Sequence, residues 1–152
     1  MTDTATYGST ETVRVYFDDL DAMGVLYNMK YGQLVERALA MYWERRGWEF
    51  DPNAPHFADI FFVVREFTIR FRVPVVTVGD VQVHFWLDEL GTSSATYGFR
   101  ILSADGSIVH AEGQRAQVKL DRATLRPSPI PAAVRVDLDE LIGPDLAERL
   151  AS

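Results

Sequence analysis

VYFDDLDAMGVLYNMKYGQLVERA, residues 15–38, joins an extended segment to a helix through an acidic turn. Three carboxylates, Asp18, Asp19 and Asp21, fall within four positions, and Gly24 follows them. The run that comes next is apolar and has helical spacing. The stretch therefore predicts a strand, a turn and a long helix in that order, and it raises the question of what the carboxylates do.

The helix predicted for residues 31–47 is apolar around more than half of its circumference. Its apolar residues are Leu34, Val35, Ala38, Leu39, Met41, Tyr42 and Trp43. Gly47 marks its expected end, because glycine commonly follows the last turn of a helix. A helix with so wide an apolar face is expected to be covered by other structure.

Alternating apolar and polar residues predict one strand before this helix and four after it. In the first strand, residues 12–18, Val13, Val15 and Phe17 share one face. The four later strands are predicted at 61–73, 80–90, 94–103 and 107–121. Connections as short as those at 91–93 and 104–106 make neighbouring strands antiparallel. The chain is therefore expected to have an α+β fold in which one helix packs against one antiparallel sheet.

The composition narrows the class of protein. The chain has 152 residues, of which 47% are hydrophobic, so we expect a single globular core. It has no cysteine, which excludes disulfides, zinc–thiolate sites and a cysteine nucleophile, and a cytoplasmic location fits this. The net charge of −7 argues against a nucleic-acid partner, and no run is apolar enough to cross a membrane. We expect residues 1–10 to form a flexible tail, and residues 132–152 to form a C-terminal extension with a short helix.

Two metal-binding interpretations of the acidic cluster fail, one on ligand spacing and one on strand topology. A calcium loop beginning at Asp19 needs an oxygen ligand at its fifth position and a glutamate at its twelfth, where this chain has Met23 and Lys30. A phosphatase-like pair of aspartates would need parallel βαβ units, which the antiparallel pattern excludes. We therefore expect no metal site.

Two interpretations of the cluster stay open. Aspartate is common in turns and at helix caps, so all three carboxylates are compatible with a purely structural role. Alternatively, an aspartate beside Met23, Val25 and Leu26 is partly desolvated and acts as a base, because desolvation makes a carboxylate more basic. Backbone N–H groups at the start of the helix would then stabilise an oxyanion formed in acyl transfer.

The opening stretch resembles the signature of the 4-hydroxybenzoyl-CoA thioesterase family of hotdog-fold proteins. The order of strand, acidic turn, glycine, apolar run and a Tyr- and Asn-containing start of a long helix is similar to that family. Residues 61–121 are similar to its four-strand meander, and the resemblance covers residues 11–131. It implies a hotdog domain over those residues, with a long central helix wrapped by a curved antiparallel β-sheet.

The resemblance also implies a reaction. Members of the family hydrolyse acyl-CoA or other acyl-pantetheine thioesters without a metal or organic cofactor, as homodimers or homotetramers with active sites at subunit interfaces. It places the catalytic aspartate, nucleophile or general base, on Asp21, with Asp18 and Asp19 as turn residues. The backbone N–H that polarises the thioester carbonyl falls near Asn28. Many relatives carry histidine at this position, although asparagine can still form hydrogen bonds.

Six residues are expected to bind the substrate. Gly24 permits close approach of the backbone, and Val25, Tyr27 and Tyr31 are candidates to line the acyl group. Some relatives hold the CoA phosphates with basic residues in the turn after the third strand. The corresponding turn here is uncharged and offers only Thr92 and Ser93, so an acyl-carrier-protein thioester is an alternative substrate.

Other functions fit the sequence less well. A non-catalytic acyl-binding hotdog module is the main alternative from another class. A hotdog dehydratase needs a histidine beside a carboxylate, and none lies near the start of the helix. His84 and His110 lie on predicted strands and are expected to be structural, and Arg122 and Arg126 are expected to form surface salt bridges rather than to meet a nucleotide phosphate. The chain has no G-x-S-x-G motif of an α/β-hydrolase.

Overall fold

The computed structural model describes residues 6–152, in which one antiparallel sheet holds five strands. The strands are β1 (Ser9–Val15), β2 (Phe62–Phe71), β3 (Gly79–Leu90), β4 (Ser94–Ser103) and β5 (Val109–Lys119). The helices are α1 (Lys30–Arg45), α2 (Ala132–Asp139) and α3 (Pro144–Ala151). Their order along the chain matches the α+β expectation.

The strands lie side by side in the order β1-β3-β4-β5-β2, and all neighbours are antiparallel. The meander β3-β4-β5 forms the centre, because its connections are too short for anything but hairpins. β1 and β2 flank it, so each has one edge that pairs with no strand of the described chain. The long helix α1 lies on the inner face of this sheet, which confirms the hotdog fold.

The core lies between α1 and the sheet. The helix buries residues at three- and four-residue steps, namely Tyr31, Leu34, Val35, Ala38, Leu39, Tyr42 and Trp43. Against them pack alternate residues of β3 and β4, namely Val81, Val83, Phe85, Leu87, Tyr97, Phe99 and Ile101. The predicted alternation of these strands is thus confirmed, since a strand buries every second side chain on one face.

The first strand ends earlier than its pattern predicts. Phe17 was expected on the buried face beside Val15, yet it is 82% exposed. The chain leaves the sheet after Val15 and makes a short 3₁₀ turn over Phe17–Asp19, which breaks the alternation. At the other end, β1 begins at Ser9, inside the segment expected to be a tail. The rest of that expectation, for residues 1–5, lies outside the described residues.

The C-terminal extension packs against the sheet beyond the N-terminal end of β1, where β3 continues past Phe85. Residues 141–143 run beside β3, where Leu87 donates its N–H to the Leu141 carbonyl at 2.7 Å and Gly143 donates to the Leu87 carbonyl at 2.9 Å. Helix α2 buries Val134 and Leu138. The extension therefore holds two short helices and covers the part of the β3 edge that β1 leaves unpaired. Over residues 6–152, the structure contains no helix of the length and apolarity required to span a membrane.

Candidate active site

The acidic loop, residues 16–29, doubles back on itself between β1 and α1. Asp19 closes its base: its carboxylate accepts the Tyr16 N–H at 2.8 Å, and its carbonyl accepts the Tyr27 N–H at 3.0 Å. The Asp19 side chain is buried and lies 3.7 Å from the Lys30 ammonium. Asp18 beside it is exposed. Asp19 thus fastens the two limbs of the loop together, and its charge is balanced by Lys30.

Asp21 closes the tip of the loop and is half-buried. Its Oδ1 accepts the Met23 N–H at 2.8 Å and the Val25 N–H at 3.4 Å. Its own N–H donates to the Val25 carbonyl at 2.8 Å. These bonds fix the orientation of the carboxylate, while its Oδ2 accepts no hydrogen bond from any residue of 6–152. One oxygen is held, and the other is available for chemistry.

Gly24 makes the tight turn possible. Its φ of +77° lies in the left-handed region that glycine adopts without strain. A Cβ placed there would meet no atom within 4 Å, so the backbone conformation rather than crowding requires glycine. The turn returns the chain to Val25, which lies opposite Asp21.

Unpaired backbone donors lie at the start of α1. Within residues 6–152, the N–H groups of Asn28 and Met29 have no hydrogen-bond acceptor, whereas the Lys30 N–H donates to the Tyr27 carbonyl at 2.8 Å. The Asn28 side chain is exposed and forms no hydrogen bond with this part of the chain. Free N–H groups at the positive end of a helix dipole suit an anion or a polarised carbonyl oxygen.

The structure treats the two candidate tyrosines differently. Tyr27 is 47% exposed on the loop. Tyr31 is buried, touches the Phe71 ring edge-on, and accepts the Val75 N–H on its hydroxyl at 3.3 Å. Burial raises the pKa of the Tyr31 hydroxyl above its ordinary value. Tyr31 therefore anchors residue 75 to the helix, and Tyr27 is the tyrosine open to a ligand.

The uncharged turn lies far from the acidic loop within one chain. β1 ends beside Gly79 at the start of β3, whereas Thr92 and Ser93 follow the other end of that strand. The strand separates them by on the order of 30 Å. The Thr92 carbonyl accepts hydrogen bonds from Ile130 N–H and from Arg135. The structure thus brings Asp21, Gly24, Val25, Tyr27 and Asn28 together and leaves this turn apart.

Large apolar side chains are exposed both on the loop and on β2. On the loop, five large side chains are 47–85% exposed, namely Tyr16, Phe17, Met23, Tyr27 and Met29. On β2, four are 36–50% exposed, namely Val63, Val64, Phe67 and Phe71. Exposed large apolar side chains in such numbers are typical of interaction sites.

His84, His110 and Arg122 have their partners outside the acidic loop. His84 accepts the Arg100 Nε–H at 3.0 Å on the sheet, and His110 lies 2.8 Å from the Val73 carbonyl. Arg122 stacks over the Phe57 ring at 4.9 Å. In the chain from residue 6 onward, no three His, Asp or Glu side chains are grouped as metal ligands.

Sequence patterns missed one buried polar cluster. Arg115 on β5 is 9% exposed and pairs with Glu36 of α1, beside the buried hydroxyl of Tyr97. The available signal was the position of Arg115, which shares the inward face with Ala111 on the same strand. A charged residue at an inward position indicates a partner within the core.

Comparisons with known proteins agree with this architecture. The family model of the thioesterase-like superfamily matches residues 15–138. The acyl-CoA thioester hydrolase YbgC of Escherichia coli O6:H1 is 26% identical over 122 residues, covering 80% of this chain and 89% of that protein.

Two solved structures share the fold. The PA2801 protein of Pseudomonas aeruginosa has a TM-score of 0.75 at 27% identity, covering 84% of this chain and 95% of that one. A thioesterase from Thermus thermophilus, solved with coenzyme A and Zn, has a TM-score of 0.70 at 25% identity, covering 87% and 98%. With a family match over most of its length and a hotdog fold, the chain belongs to the thioesterase-like superfamily and is a hydrolase.

Proposed function

We propose that the protein hydrolyses acyl-CoA thioesters to a free acid and a thiol, and that Asp21 carries the reaction. The observation that supports this most directly is the state of its carboxylate: Oδ1 is held by two backbone N–H groups, and Oδ2 accepts no hydrogen bond from residues 6–152. A half-buried, oriented carboxylate with one open oxygen suits a general base or a nucleophile.

The proposed reaction has two forms. As a general base, Asp21 takes a proton from water while the water oxygen attacks the thioester carbonyl carbon. The C–S bond then breaks, and the proton goes to the leaving thiolate. As a nucleophile, Asp21 attacks that carbon itself, and the C–S bond breaks to give the Asp21 anhydride and a thiolate, which takes a proton from solvent. Water then hydrolyses the anhydride, which releases the acid and restores the Asp21 carboxylate. In both forms the carbonyl oxygen gains negative charge, and the free N–H groups of Asn28 and Met29 are the proposed donors to it.

We assign the acyl-binding surface to Gly24, Val25 and Tyr27, and Tyr31, which is buried, supports this surface from the helix rather than contacting the substrate. Thr92 and Ser93 remain proposed contacts for the CoA part. Because they lie far from Asp21 in the same chain, this role requires that a second subunit supplies them. Replacing both with alanine is expected to raise KM for acyl-CoA and to leave kcat unchanged.

The proposed assembly is a homodimer joined along β2, with pairs of dimers forming a homotetramer. β2 has one edge without a strand partner in the described chain, and its apolar side chains are open. A two-fold axis at such an edge lets two copies extend one sheet and cover both surfaces. A cytoplasmic location stays a prediction from the cysteine-free sequence.

The test is release of free thiol from a panel of acyl-CoAs and acyl-carrier-protein thioesters. Asp21→Asn keeps the shape of the side chain and removes its charge, so kcat is expected to fall about a hundredfold or more. Asp18→Asn is the matched control on an exposed neighbour and is expected to keep the wild-type rate. Full activity in Asp21→Asn would refute the assignment of the site. A wild-type protein that binds acyl-CoA and releases no thiol would instead be an acyl-binding module.

A further inference from the structure

A cavity of ≈ 330 Å³ lies at the far half of α1, away from the acidic loop. Leu39, Ala40 and Trp43 line it on the helix side, and Phe50 and Phe57 close it from the loop that precedes β2. The walls are apolar and rich in aromatic rings. Its size and lining are those of a small-molecule site.

The sheet end of this cavity is polar and rich in donors. Tyr97 is fully buried, and its hydroxyl oxygen accepts the Trp43 indole N–H at 3.3 Å. No residue of 6–152 accepts the proton of that hydroxyl. Burial raises the pKa of Tyr97, so the proton stays in place at neutral pH. A buried donor without an acceptor is costly unless a ligand or water supplies one.

Of the neighbouring polar groups, Arg115 and Gln117 add donors, and the Glu36 carboxylate, which also lines the cavity, is paired with Arg115. Arg115 donates its Nε–H to the Gln117 side-chain oxygen at 3.3 Å, which leaves the Gln117 amide N–H groups without a partner among the described residues. The charge of Arg115 is already balanced by Glu36. A ligand carboxylate would therefore add an uncompensated negative charge, whereas a neutral oxygen would satisfy the donors.

One face of α1 connects this cavity to the acidic loop. Gly32, Glu36, Ala40 and Trp43 lie at three- and four-residue steps, so they form a single stripe. The Phe67 ring of β2 lies over Gly32: a Cβ built on Gly32 would be 3.5 Å from Phe67 Cζ. Phe67 is itself 36% exposed. A surface that is apolar except at Glu36 thus runs from the start of α1 toward the cavity.

The axial rise of α1 gives the distance from the start of the helix to the cavity. From Lys30 to Glu36, at the near side of the cavity, the axis rises about 9 Å, and from Lys30 to Trp43 it rises about 20 Å. Only an extended acyl group covers that span from a thioester held at the start of α1. Short acyl groups would leave the cavity unfilled.

We propose that this cavity holds the far end of the substrate's acyl group, and that this end is an apolar chain or ring bearing one neutral oxygen, a hydroxyl or a carbonyl. The inference rests on the function proposed above. Tyr97 donates to that oxygen and acts as a specificity-determining residue.

The first experiment compares octanoyl-, decanoyl- and dodecanoyl-CoA with their ω-hydroxy analogues. At the chain length that fits, kcat/KM of the wild type is expected to favour the hydroxylated substrate about tenfold or more, as for other sites with a buried partner for a hydroxyl. Tyr97→Phe should abolish the preference. Tyr42→Phe is the matched control, because Tyr42 is also buried but donates to the Asp137 carbonyl outside the cavity. The ratio within one protein is independent of how much of that protein is folded.

Turnover without any preference for the hydroxylated chains, or with a preference that Tyr97→Phe retains, would overturn the inference while leaving the thioesterase function intact. If no thioester is hydrolysed, the proposed function fails. A binding experiment then tests separately whether the cavity recognises an oxygen atom. The probes are 4-propylphenol and propylbenzene, which differ by one oxygen. We expect the phenol to bind at least about tenfold more tightly and to shift the NMR signal of the Trp43 indole N–H, with the difference lost in Tyr97→Phe. Equal binding of both probes would refute the oxygen-recognising role.

Discussion

Tyr16 and Asp19 form a reciprocal hydrogen-bonded pair at the end of β1. The Tyr16 N–H donates to the Asp19 carboxylate at 2.8 Å, and the Asp19 N–H donates to the Tyr16 carbonyl at 3.0 Å. The pair ends the strand, and through the Tyr27 N–H it also holds the returning limb of the acidic loop. In the proposed site, Asp19 therefore positions the loop that carries Asp21 and takes no part in the proposed chemistry.

Replacing Asp19 with alanine is expected to destabilise the protein by about 1–2 kcal/mol, as the loss of a capping carboxylate does elsewhere. The same change should lower kcat, because the loop that orients Asp21 loosens. Urea denaturation and thiol release measure the two effects. Asp18→Ala, on the exposed neighbour, should stay within about 0.5 kcal/mol of wild type. Equal effects of both substitutions would show that Asp19 has no special structural role.

Gly24 lies at the tip of the acidic loop, and Gly47, which follows α1, has a similar backbone conformation and serves as its matched control. Both have positive φ, +77° and +90°, and a Cβ at either would meet nothing within 4 Å. Alanine at either position is expected to cost about 1–2 kcal/mol of stability, from backbone strain alone. Only Gly24→Ala should also reduce kcat, since Gly47 lies beyond the far end of α1. If both variants lose activity in the same proportion, the effect comes from stability and not from the turn at Asp21.

Asp105 should make stability depend on pH in the acid range. The Ser107 N–H and the hydroxyls of Ser103 and Ser107 bond to its carboxylate and lower its pKa to about 2. A carboxyl with a depressed pKa in the folded state contributes stability above its unfolded pKa of about 3.9. That contribution disappears as pH falls through the folded value. Urea midpoints of wild type and Asp105→Asn should therefore differ at pH 7 and converge between about pH 4 and pH 2. A difference that does not change with pH would contradict this.

The β2 edge should control assembly. Val63 and Val64 are 38% and 47% exposed. If the proposed homo-oligomer forms along β2, Val63→Glu with Val64→Glu is expected to convert it to monomer, because charges would be buried between two copies. Sedimentation velocity measures the change. Glutamates at Thr10 and Thr12 on β1, the opposite edge strand, should leave the assembly intact. If only the glutamates at Thr10 and Thr12 dissociate the oligomer, the interface lies along β1 and not along β2.

Much of the fold could be predicted from local pattern. The alternation of Val81, Val83 and Phe85 and the apolar stripe of α1 identify their buried faces, because the period of each element is a property of its own backbone. Short hairpin connections then make the neighbours antiparallel. The prediction failed at Phe17, where the alternation continues in the sequence although the backbone has already turned.

The site could be predicted only in part. The cluster of Asp18, Asp19 and Asp21 is evident in the sequence, but its members differ in role because of their surroundings. One is exposed, one is buried beside Lys30, and one is half-buried with a single oxygen held. The distance of Thr92 from the loop follows from strand register across the sheet, which local spacing does not contain.

By itself, the sequence determined the order and type of the elements, the absence of cysteine side chains and the segment in which the carboxylates lie. Only the tertiary structure decided which carboxylate is held through one oxygen with the other free, and that Tyr97, Arg115 and Trp43 meet in one cavity. These three residues lie on different elements, brought together when α1 packs onto the sheet. Hydrogen-bond satisfaction and burial depend on such long-range neighbours, whereas periodicity and turn formation depend on the residues adjacent in the chain.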